Sequence, residues 1–369
     1  MAELQDHWIA ETAERIRKSA QSGQSLQIEG HGSKRFYGQP AGAGEILSTA
    51  TYAGVVDYDP TELVMVVKCG TPITEVEAVL GQARQMLAFE PPRFGGRGTV
   101  GGMVATGLSG PRRLSAGAVK DFVLGLTVLD AQATPLRYGG TVMKNVAGYD
   151  VSRLHTGALG TLGLIVDVSL KVLPQPTAQA TLLFEMSAQE SIDRVNAWGS
   201  QPLPISASSW QNGQLHVRLS GAQAAIEHAR KTLGGQVLID AQADQFWRDL
   251  RDQTPAFFSV DAASPDTHLW RLSVPTVTPH LQSLLGEQWI EWGGGLRWLK
   301  SDQAADTIRA AARHAGGHAT LYRAAHQAAL TSHGAFAELS PALMKIHHRL
   351  KKELDPQRLF NPGRMFAGI

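Results

Sequence analysis

The spacing of apolar positions predicts a mixed helical and strand organisation for the first half of the chain. An amphipathic helix is predicted over residues 3–20. Short apolar segments rich in branched side chains predict buried strands at residues 26–29, 63–67, 122–129 and 162–173. Thr71 and Pro72 are suited to the cap and first turn of a helix that continues to Met86.

The pattern changes after Pro174-Gln175-Pro176, a segment typical of a domain boundary. Beyond it, strands are predicted at residues 181–186, 205–210, 215–219 and 270–274, and helices at 222–233 and 304–315. This order predicts an antiparallel sheet with helices on one face. A last helix begins at Ser340-Pro341. We therefore divide the chain into residues 1–175, 176–335 and 336–369.

Length and charge restrict the kinds of partner that the chain can have. Its 369 residues are enough for two domains, and its net charge of +1 favours neither nucleic acid nor an anionic membrane surface. No apolar run reaches the roughly 20 residues of a membrane span. Residues 1–20 lack the apolar centre of a signal peptide. We therefore expect a cytoplasmic protein.

Cysteine and histidine usage argues against several kinds of site. Cys69 is the single cysteine, so the chain holds neither an internal disulfide nor a cysteine-ligated iron–sulfur cluster. We expect its thiol to pack in a core rather than to act as a nucleophile. His314 and His318 have helical spacing, but Gly316-Gly317 would break that helix. No metal site is therefore expected, and a metal hydrolase is disfavoured.

Two glycine-rich tracts are the most informative part of the sequence. Residues 95–117 hold 8 glycines in 23 residues, and residues 139–163 hold 6 in 25. Apolar residues lie between these glycines, which indicates ordered loops rather than linkers. Successive turns with bare backbone amides form concave sites for anions such as a pyrophosphate. The turn Gly30-His31-Gly32-Ser33, after a predicted strand, has the same character.

The tracts do not match the common nucleotide or hydrolase motifs. There is no G-x-x-x-x-G-K-[ST], which excludes a P-loop. Residues 98–102 lack the order and the strand–helix setting of a Rossmann motif, and residues 157–163 lead into a strand instead of a helix. The chain also lacks the G-x-S-x-G elbow of an α/β-hydrolase.

Two further segments each allow two interpretations. Lys144, Asn145 and Tyr149 either offer a charge and donors to an anionic ring or phosphate, or belong to a solvated turn. Residues 291–298 place two tryptophans around a glycine turn, which predicts a hairpin. We favour packing of a sheet face there over a ligand-binding wall in which Arg297 meets a carboxylate.

Short motifs follow one another in a characteristic order along the chain. They occupy residues 90–92, 101–105, 107–113, 119–125, 144–150, 160–163, 355–356 and 360–364. Together they resemble the FAD-binding domain of the vanillyl-alcohol oxidase/PCMH superfamily and, within it, the FAD-binding E subunits of bacterial glycolate oxidases. The resemblance implies an α+β fold. A PCMH-type FAD-binding domain of two α+β subdomains holds FAD between them, a second, antiparallel-sheet domain forms a cap, and the C-terminal segment returns to the FAD domain.

The resemblance also implies which residues contact the cofactor. The turn at Gly30 and residues 101–107 would wrap the pyrophosphate, and residues 160–165 would approach adenine and ribose. The expected contacts are Gly30, His31, Gly32, Ser33, Lys34, Pro92, Gly101, Gly102, Ala105, Thr106, Gly107, Ser109, Lys144, Asn145, Gly148, Tyr149, Gly160, Gly163, Ile165 and Arg364. His31 falls near a position of covalent flavin attachment in some members, but its neighbours differ, so non-covalent FAD is expected. Arg297 is the one candidate for catalysis.

The implied function is that of an FAD-dependent subunit of a multi-subunit glycolate oxidase or dehydrogenase. The complex would oxidise a small 2-hydroxy acid, glycolate, to glyoxylate, and electrons would leave the flavin for an iron–sulfur subunit. A larger flavoprotein subunit is the second expected partner, and any membrane contact would be peripheral, through the complex. The chain lacks the H-x-G-D-G-N segment of related dehydrogenases. Two alternatives therefore remain, a non-catalytic flavin relay or assembly subunit and a self-sufficient FAD-dependent D-2-hydroxy-acid dehydrogenase.

Overall fold

Two β-sheets organise the computed structural model, which describes residues 2–141, 150–261 and 263–369. Its helices are α1 (Ala2–Ser22), α2 (Ile73–Gln82), α3 (Val100–Thr106), α4 (Arg113–Ala116), α5 (Val151–His155), α6 (Ala188–Gly199), α7 (Gln223–Leu233), α8 (Asp240–Asp252), α9 (Ala305–His314), α10 (Gln327–His333) and α11 (Pro341–Leu354). The first strands are β1 (Leu26–Glu29), β2 (Glu45–Ser48), β3 (Val55–Asp59), β4 (Val64–Lys68), β5 (Gln85–Met86), β6 (Val123–Leu129), β7 (Pro135–Gly139), β8 (Leu164–Lys171) and β9 (Leu173–Pro174). The later strands are β10 (Ala178–Glu185), β11 (Ile205–Gln211), β12 (Gln214–Gly221), β13 (Gln236–Val237), β14 (His268–Ser273), β15 (Glu287–Glu291), β16 (Leu296–Ser301) and β17 (His318–Arg323).

The first sheet has five strands in the order β3-β4-β8-β6-β7, and every neighbouring pair is antiparallel. The central strand β8 is buried on both faces, which its continuous apolar sequence favours. Val76 and Leu80 of α2 and Val100 and Val104 of α3 belong to the same core. Strands β1 and β2 form a separate parallel pair. These two units confirm the predicted α+β class.

The second sheet has eight strands in the order β13-β10-β12-β11-β15-β16-β14-β17, with antiparallel pairing throughout. Because side chains alternate along a strand, its two faces differ. Trp270, Leu272 and Leu321 pack with Ile308 of α9 on one face. The opposite face is aromatic and packs against the first half of the chain through Leu269, Trp289, Trp298, Tyr322, Tyr37 and Leu108. The antiparallel cap sheet is therefore confirmed.

The two helices that the sequence predicts for this sheet, α7 and α9, lie on one face together with α6. Helix α8, which the sequence analysis did not predict, lies on the aromatic face, so helices cover both faces. Trp247 of α8 donates from Nε1 to Thr181 Oγ1 at 2.9 Å, and Phe246 stacks on His216 with centroids 3.9 Å apart. These two contacts hold α8 against β10 and β12 on the aromatic face.

The start and end of α2 also differ from the prediction. Pro72 is the N-cap, and no side chain caps the helix. Thr71 Oγ1 instead donates to the Lys68 carbonyl at 2.7 Å and accepts from Gly54 N at 2.9 Å. The helix ends at Gln82, and Met86 belongs to β5, which pairs with β9. Strand pairing thus replaces the last helical turn.

A buried group of charged side chains connects the first half of the chain with the eight-stranded sheet. Glu90 accepts from Arg218 of β12 at 2.8 Å and from the backbone N of Arg112 at 2.8 Å. Burial alone would raise the pKa of Glu90, but the charges of Arg218 and Arg112 outweigh it, so the pKa is lowered. Glu90 therefore pairs with Arg112 of the first half and with Arg218 of the second sheet. We call the contact surface between these two parts of the chain the seam.

The division of the chain at residues 175 and 335 itself stays a prediction.

A buried lysine fixes the last helix to the first half of the chain. Lys351 Nζ donates to the carbonyls of Thr161 at 2.6 Å and Phe360 at 2.9 Å, and to Asp355 Oδ2 at 2.8 Å. Lys351 is 2% exposed and Asp355 is 0% exposed. Asp355 also accepts from the backbone N–H groups of Leu359 and Phe360. The tail after α11 is thereby held against β1, where Leu26 and Phe360 form a bridge.

Replacement of Lys351 by methionine should destabilise the protein by about 3–5 kcal/mol, because Asp355 would remain buried without its cation. Lys352 is the matched control, since it is exposed on the same helix. Lys352→Met should change stability by no more than about 0.5 kcal/mol. Urea unfolding followed by tryptophan fluorescence measures both. Equal midpoints for the two variants would show that the buried pair is not what stabilises the tail.

Candidate functional site

A cleft of about 570 Å³ lies where β1, α3, the C-terminal tail and the segment after β17 meet. Nine of the predicted cofactor contacts line it: Gly30, His31, Gly32, Ser33, Lys34, Gly102, Ala105, Thr106 and Arg364. The cap contributes His326 and Leu330 from the opposite side. The turn after β1 and the first glycine tract, far apart in sequence, therefore form one surface, as the motifs predict.

The glycines at positions 30 and 102 allow the turn after β1 to approach α3. A Cβ at Gly30 would lie 2.5 Å from Thr99 Oγ1, and one at Gly102 would lie 3.2 Å from that atom and 3.3 Å from Lys34 Cε. Thr99 caps α3 by accepting from Gly102 N at 3.3 Å. Any larger residue at position 102 would therefore occupy the cleft beside Lys34.

The cleft presents a cation that has no carboxylate partner among the described residues. Burial lowers the pKa of Lys34 to about 8. Its Nζ lies 3.2 Å from Ser33 Oγ and 5.4 Å from the centroid of the Phe94 ring. Arg35, in contrast, is paired with Glu29 at 2.5 Å. An anion such as a pyrophosphate beside Lys34 would stabilise the ammonium and raise its pKa again. The donors of the cleft therefore fit FAD.

One more polar atom of the cleft is left without a partner. His31 Nδ1 is buried and has no hydrogen-bond partner among the described residues. The neighbouring carbonyl of His31 accepts from Arg97 at 2.8 Å, which fixes the turn. A ligand that accepts or donates at Nδ1 would remove this unfavourable burial.

The C-terminal tail supports the cleft through two side chains. The Arg364 guanidinium donates to the carbonyls of Gln39 and Arg35, so it braces the segment that follows Lys34. Asn361 accepts from Ile28 N at 2.8 Å and donates to the Leu159 carbonyl at 2.7 Å. Asn361 lines the cleft, yet sequence reasoning did not select it, although it lies inside the motif at residues 360–364. That motif was the available signal.

Seven predicted contacts do not line the cleft: Pro92, Gly101, Gly107, Ser109, Gly160, Gly163 and Ile165. Three of them have packing roles elsewhere. A Cβ at Gly101 would lie 2.8 Å from Cys69 Cβ, and one at Gly160 would lie 2.8 Å from Asn361 Nδ2. Ile165 is part of the buried core. Their contact with the cofactor stays a prediction. Lys144, Asn145, Gly148 and Tyr149 lie outside the described residues.

Arg297 and Cys69 both have packing roles. Arg297 is buried and donates to the carbonyls of Gly294 at 2.6 Å and Thr278 at 2.7 Å. Arg297 lies in β16, and the antiparallel pairing of β16 with β15 confirms the predicted hairpin. Its hydrogen bonds go to carbonyls, so no carboxylate contact is seen among the described residues. Cys69 is buried, and burial raises the pKa of its thiol to about 12, so it stays protonated.

A second cleft, of about 590 Å³, lies along the seam between the layers. Four of the five arginines that line it form ion pairs with nearby carboxylates. Arg112 and Arg218 are held by Glu90, and Arg251 is held by Glu77 and Asp252. These pairs connect the two layers, so they account for the polar character of this cleft without a ligand.

Glu291 is an unusual acid on the aromatic face of the cap sheet. Its Oε1 accepts from Trp298 Nε1 at 2.7 Å, and the residue is 4% exposed. Burial raises the pKa of Glu291 to about 7, although the Trp298 hydrogen bond and the Arg271 charge oppose that rise. The carboxyl is therefore protonated below neutral pH, in a position that sequence reasoning did not select.

Comparison with known proteins identifies the class first. A family model described as "FAD binding domain" matches residues 7–153, which include the turn after β1 and α3. The solved structure of p-cresol methylhydroxylase with substrate bound superimposes with a TM-score of 0.72 at 14% identity, covering 98% of this chain and 87% of that one. A structure of alkyldihydroxyacetonephosphate synthase gives a TM-score of 0.66 at 14% identity over 96% of this chain and 75% of that one. These structures establish the fold, and the family model establishes FAD as the cofactor.

Sequence relatives then give the family. The chain is 46% identical to glycolate oxidase subunit GlcE of Escherichia coli (strain K12), over 96% of this chain and 97% of that protein. It is 24% identical to D-2-hydroxyglutarate dehydrogenase of Xanthomonas citri pv. viticola, over 89% of this chain and 81% of that protein. Glycolate oxidase subunit GlcD of Bacillus subtilis matches at 40% identity over 95 residues, which are 26% of this chain and 20% of that protein. The chain belongs to the GlcE family of FAD-dependent oxidoreductase subunits.

Within the described ranges, no helix combines the length and the apolarity needed to cross a membrane. Over the same ranges, no group of three or more His, Cys, Asp or Glu side chains is arranged to hold a metal ion.

The raised pKa of Glu291 predicts a specific pH dependence of stability. In the unfolded chain the carboxyl ionises near pH 4.5, whereas in the folded protein it holds its proton up to about pH 7. The folded state thus binds more protons between these values, and this group's contribution to stability falls by about 3 kcal/mol as the pH rises from 4.5 through 7. Glu291→Gln should remove that decline, as measured by urea unfolding at pH 5 and pH 8. The exposed Glu287 on the same strand is the control, and Glu287→Gln should follow the unchanged protein. A decline that persists in Glu291→Gln would contradict the assignment.

Proposed function

We propose that this chain holds FAD in the 570 Å³ cleft as a subunit of a glycolate oxidase, and that the complex oxidises glycolate to glyoxylate. The observation that carries the proposal is the unpaired Lys34 ammonium facing the bare backbone at Gly102, inside the region that matches the FAD-binding family. The relationship to GlcE supports glycolate as the substrate.

The residues of the cleft would divide the work of binding. When bound, FAD supplies the hydride-accepting chemistry that amino-acid side chains lack. Lys34 would neutralise phosphate charge, and the backbone amides of the turn Gly30–Ser33 would donate to phosphate oxygens. Arg364 and Asn361 would hold that turn in position through their carbonyl contacts. The Tyr37 ring, buried against Tyr322 of the cap, would exclude water from the adjoining seam.

The proposal includes two partners. A larger flavoprotein subunit is supported by the match to GlcD, another glycolate oxidase subunit. An iron–sulfur subunit would carry the electrons away, because this chain has a single cysteine and cannot ligate such a cluster. The complex would work in the cytoplasm and touch the membrane peripherally, through its other subunits.

Replacement of Gly102 by valine should give a folded protein without FAD. Its side chain would enter the cleft beside Thr99 and Lys34, where the pyrophosphate is placed. The flavin-to-protein absorbance ratio of the purified chain measures this loss, and far-ultraviolet circular dichroism checks folding. Gly199→Val is the matched control, because a Cβ at Gly199 on α6 meets nothing within 4 Å. A Gly102→Val protein with a full complement of FAD would show that the pyrophosphate lies elsewhere.

Anaerobic addition of glycolate separates the catalytic role from a relay or assembly role. The flavin absorbance of this chain should bleach when glycolate is added to the flavin-loaded protein, because hydride transfer reduces the flavin. Flavin that stays oxidised in the isolated chain but is reduced in the assembled complex would favour the relay role. The same spectra recorded with the Gly102→Val chain in the complex show how much of the signal belongs to this subunit.

A further inference from the structure

Two arginines on the seam between the cap and the FAD-binding half lie against the same tryptophan. Arg113 belongs to α4 and Arg271 to β14 of the cap sheet. Their guanidinium carbons lie 4.4 and 5.1 Å from the centroid of the Trp292 ring. Arg271 also lies 5.9 Å from the Trp298 ring, its cross-strand neighbour. The two layers thus bring two positive charges together at one place.

Neither guanidinium lies within ion-pair distance of a carboxylate in the described part of the chain. There, the side chains of Arg113 and Arg271 form no hydrogen bond and no ion pair, whereas Arg112, next in sequence to Arg113, is held by Glu90. Burial, and then the charge of Arg271, lower the pKa of Arg113, although the charge of Asp121 opposes them. Ring faces orient a guanidinium without using its N–H donors. Two clustered, half-buried cations with free donors are therefore best satisfied by an anion.

An aromatic wall connects this arginine pair with the FAD cleft. Tyr37 lines the cleft, its ring centroid is 5.4 Å from that of Tyr322, and Tyr322 is 4.8 Å from Trp298. Arg271 lies over Trp298 at the end of this series. The arginine pair is thus on the seam that continues from the cleft, instead of on an outer surface.

The nearest acid does not neutralise Arg271 by an ion pair. Glu291 directs its Oε1 to Trp298 Nε1, and below neutral pH it is protonated. The charges near this point are then those of the two arginines and, beyond ion-pair distance of Arg113, that of Asp121, which lies 3.9 Å from Arg153. A planar carboxylate offers two oxygens with the geometry that a guanidinium binds in bidentate fashion. Trp292 would form the apolar floor beneath such a ligand.

We propose that Arg113 and Arg271, presented on the Trp292 ring, bind the carboxylate group of a small anionic substrate. This inference rests on the proposed function, because it assigns the carboxylate of the 2-hydroxy acid to this pair and leaves the flavin to the neighbouring cleft. It replaces Arg297 as the candidate for substrate contact, since the Arg297 donors are directed to backbone carbonyls. Both arginines are binding residues in this assignment.

Oxalate is a suitable probe because it carries carboxylates and cannot donate a hydride. Its binding to the flavin-loaded full chain is measured by isothermal titration calorimetry. Arg271→Leu and Arg113→Leu should each weaken binding about 10- to 100-fold, as expected for the loss of a charge-assisted contact. Arg271→Lys should lie between, because the charge remains and the bidentate geometry is lost. The neutral diamide oxamide should not bind to any of the proteins.

Arg194→Leu is the charge-matched control, since Arg194 is exposed on α6 away from the seam. It should bind oxalate as the unchanged chain does. Normal FAD content together with unchanged oxalate affinity in Arg271→Leu and Arg113→Leu would overturn the inference and leave the proposed flavin function intact. Absence of oxalate binding to the unchanged chain would also overturn it.

Flavin content separates failure of this inference from failure of the proposed function. If the unchanged chain contains no FAD, the proposed function fails, and the same titration is then carried out on the flavin-free chain. There, a selective loss of oxalate binding in the two leucine variants would still support the arginine site. If Arg271→Leu does not fold, Arg271→Lys and Arg113→Leu decide the question, because both keep most of the packing against Trp292.

Discussion

The buried ammonium of Lys351 holds together the parts of the chain that form the 570 Å³ cleft. It binds the carbonyl of Thr161 in the second glycine tract and the carbonyl of Phe360 in the tail, and Asp355 neutralises it. The tail can therefore lie along β1, where Asn361 bonds to Ile28 and Leu159. A cation placed away from water costs free energy unless each donor is satisfied. All three donors of Lys351 are satisfied here, so the pair fixes one arrangement of the cleft and excludes others.

The cap depends on a different constraint, which is the need to bury the aromatic face of its sheet. Phe246 and Phe258 of the cap itself cover Trp289, whereas Tyr322 packs against Tyr37 of the FAD-binding half. Apolar packing alone would tolerate sliding between the layers, since it has no direction. The Glu90 contacts with Arg112 and Arg218 are directional and cross the same seam. Together they fix where the cap places Arg271 relative to Arg113, so the geometry of the seam and the proposed substrate contact have one origin.

The sequence predicts the strands and the turn at Gly30 well, because both depend on local spacing and on glycine content. It does not tell which neighbour a glycine serves. Gly102 borders the cleft, while Gly101 makes room for Cys69 and Gly160 for Asn361, and the three look alike in the sequence. The side of the sheet that α8 covers was also beyond local patterns, because Trp247 meets Thr181 only after the cap has folded. The pairing of Arg113 with Arg271 is equally non-local. Periodicity thus predicts elements, whereas the site depends on contacts between distant segments.

The partners of the arginine side chains explain why Arg113 and Arg271 differ from the other arginines of the seam. Arg112, Arg218 and Arg251 are paired with carboxylates, so their charge is used in holding the layers together. Arg297 and Arg364 donate to backbone carbonyls, so they shape turns. Arg113 and Arg271 contact ring faces, which orient a guanidinium and leave its N–H groups available. Lys34 is similarly unpaired in the cleft. Among the described residues, Lys34 and the arginine pair therefore supply cations without ion pairs at two places, and the aromatic series from Tyr37 to Trp298 connects these places. The first place suits the diphosphate of FAD, and the second suits the carboxylate of a small acid.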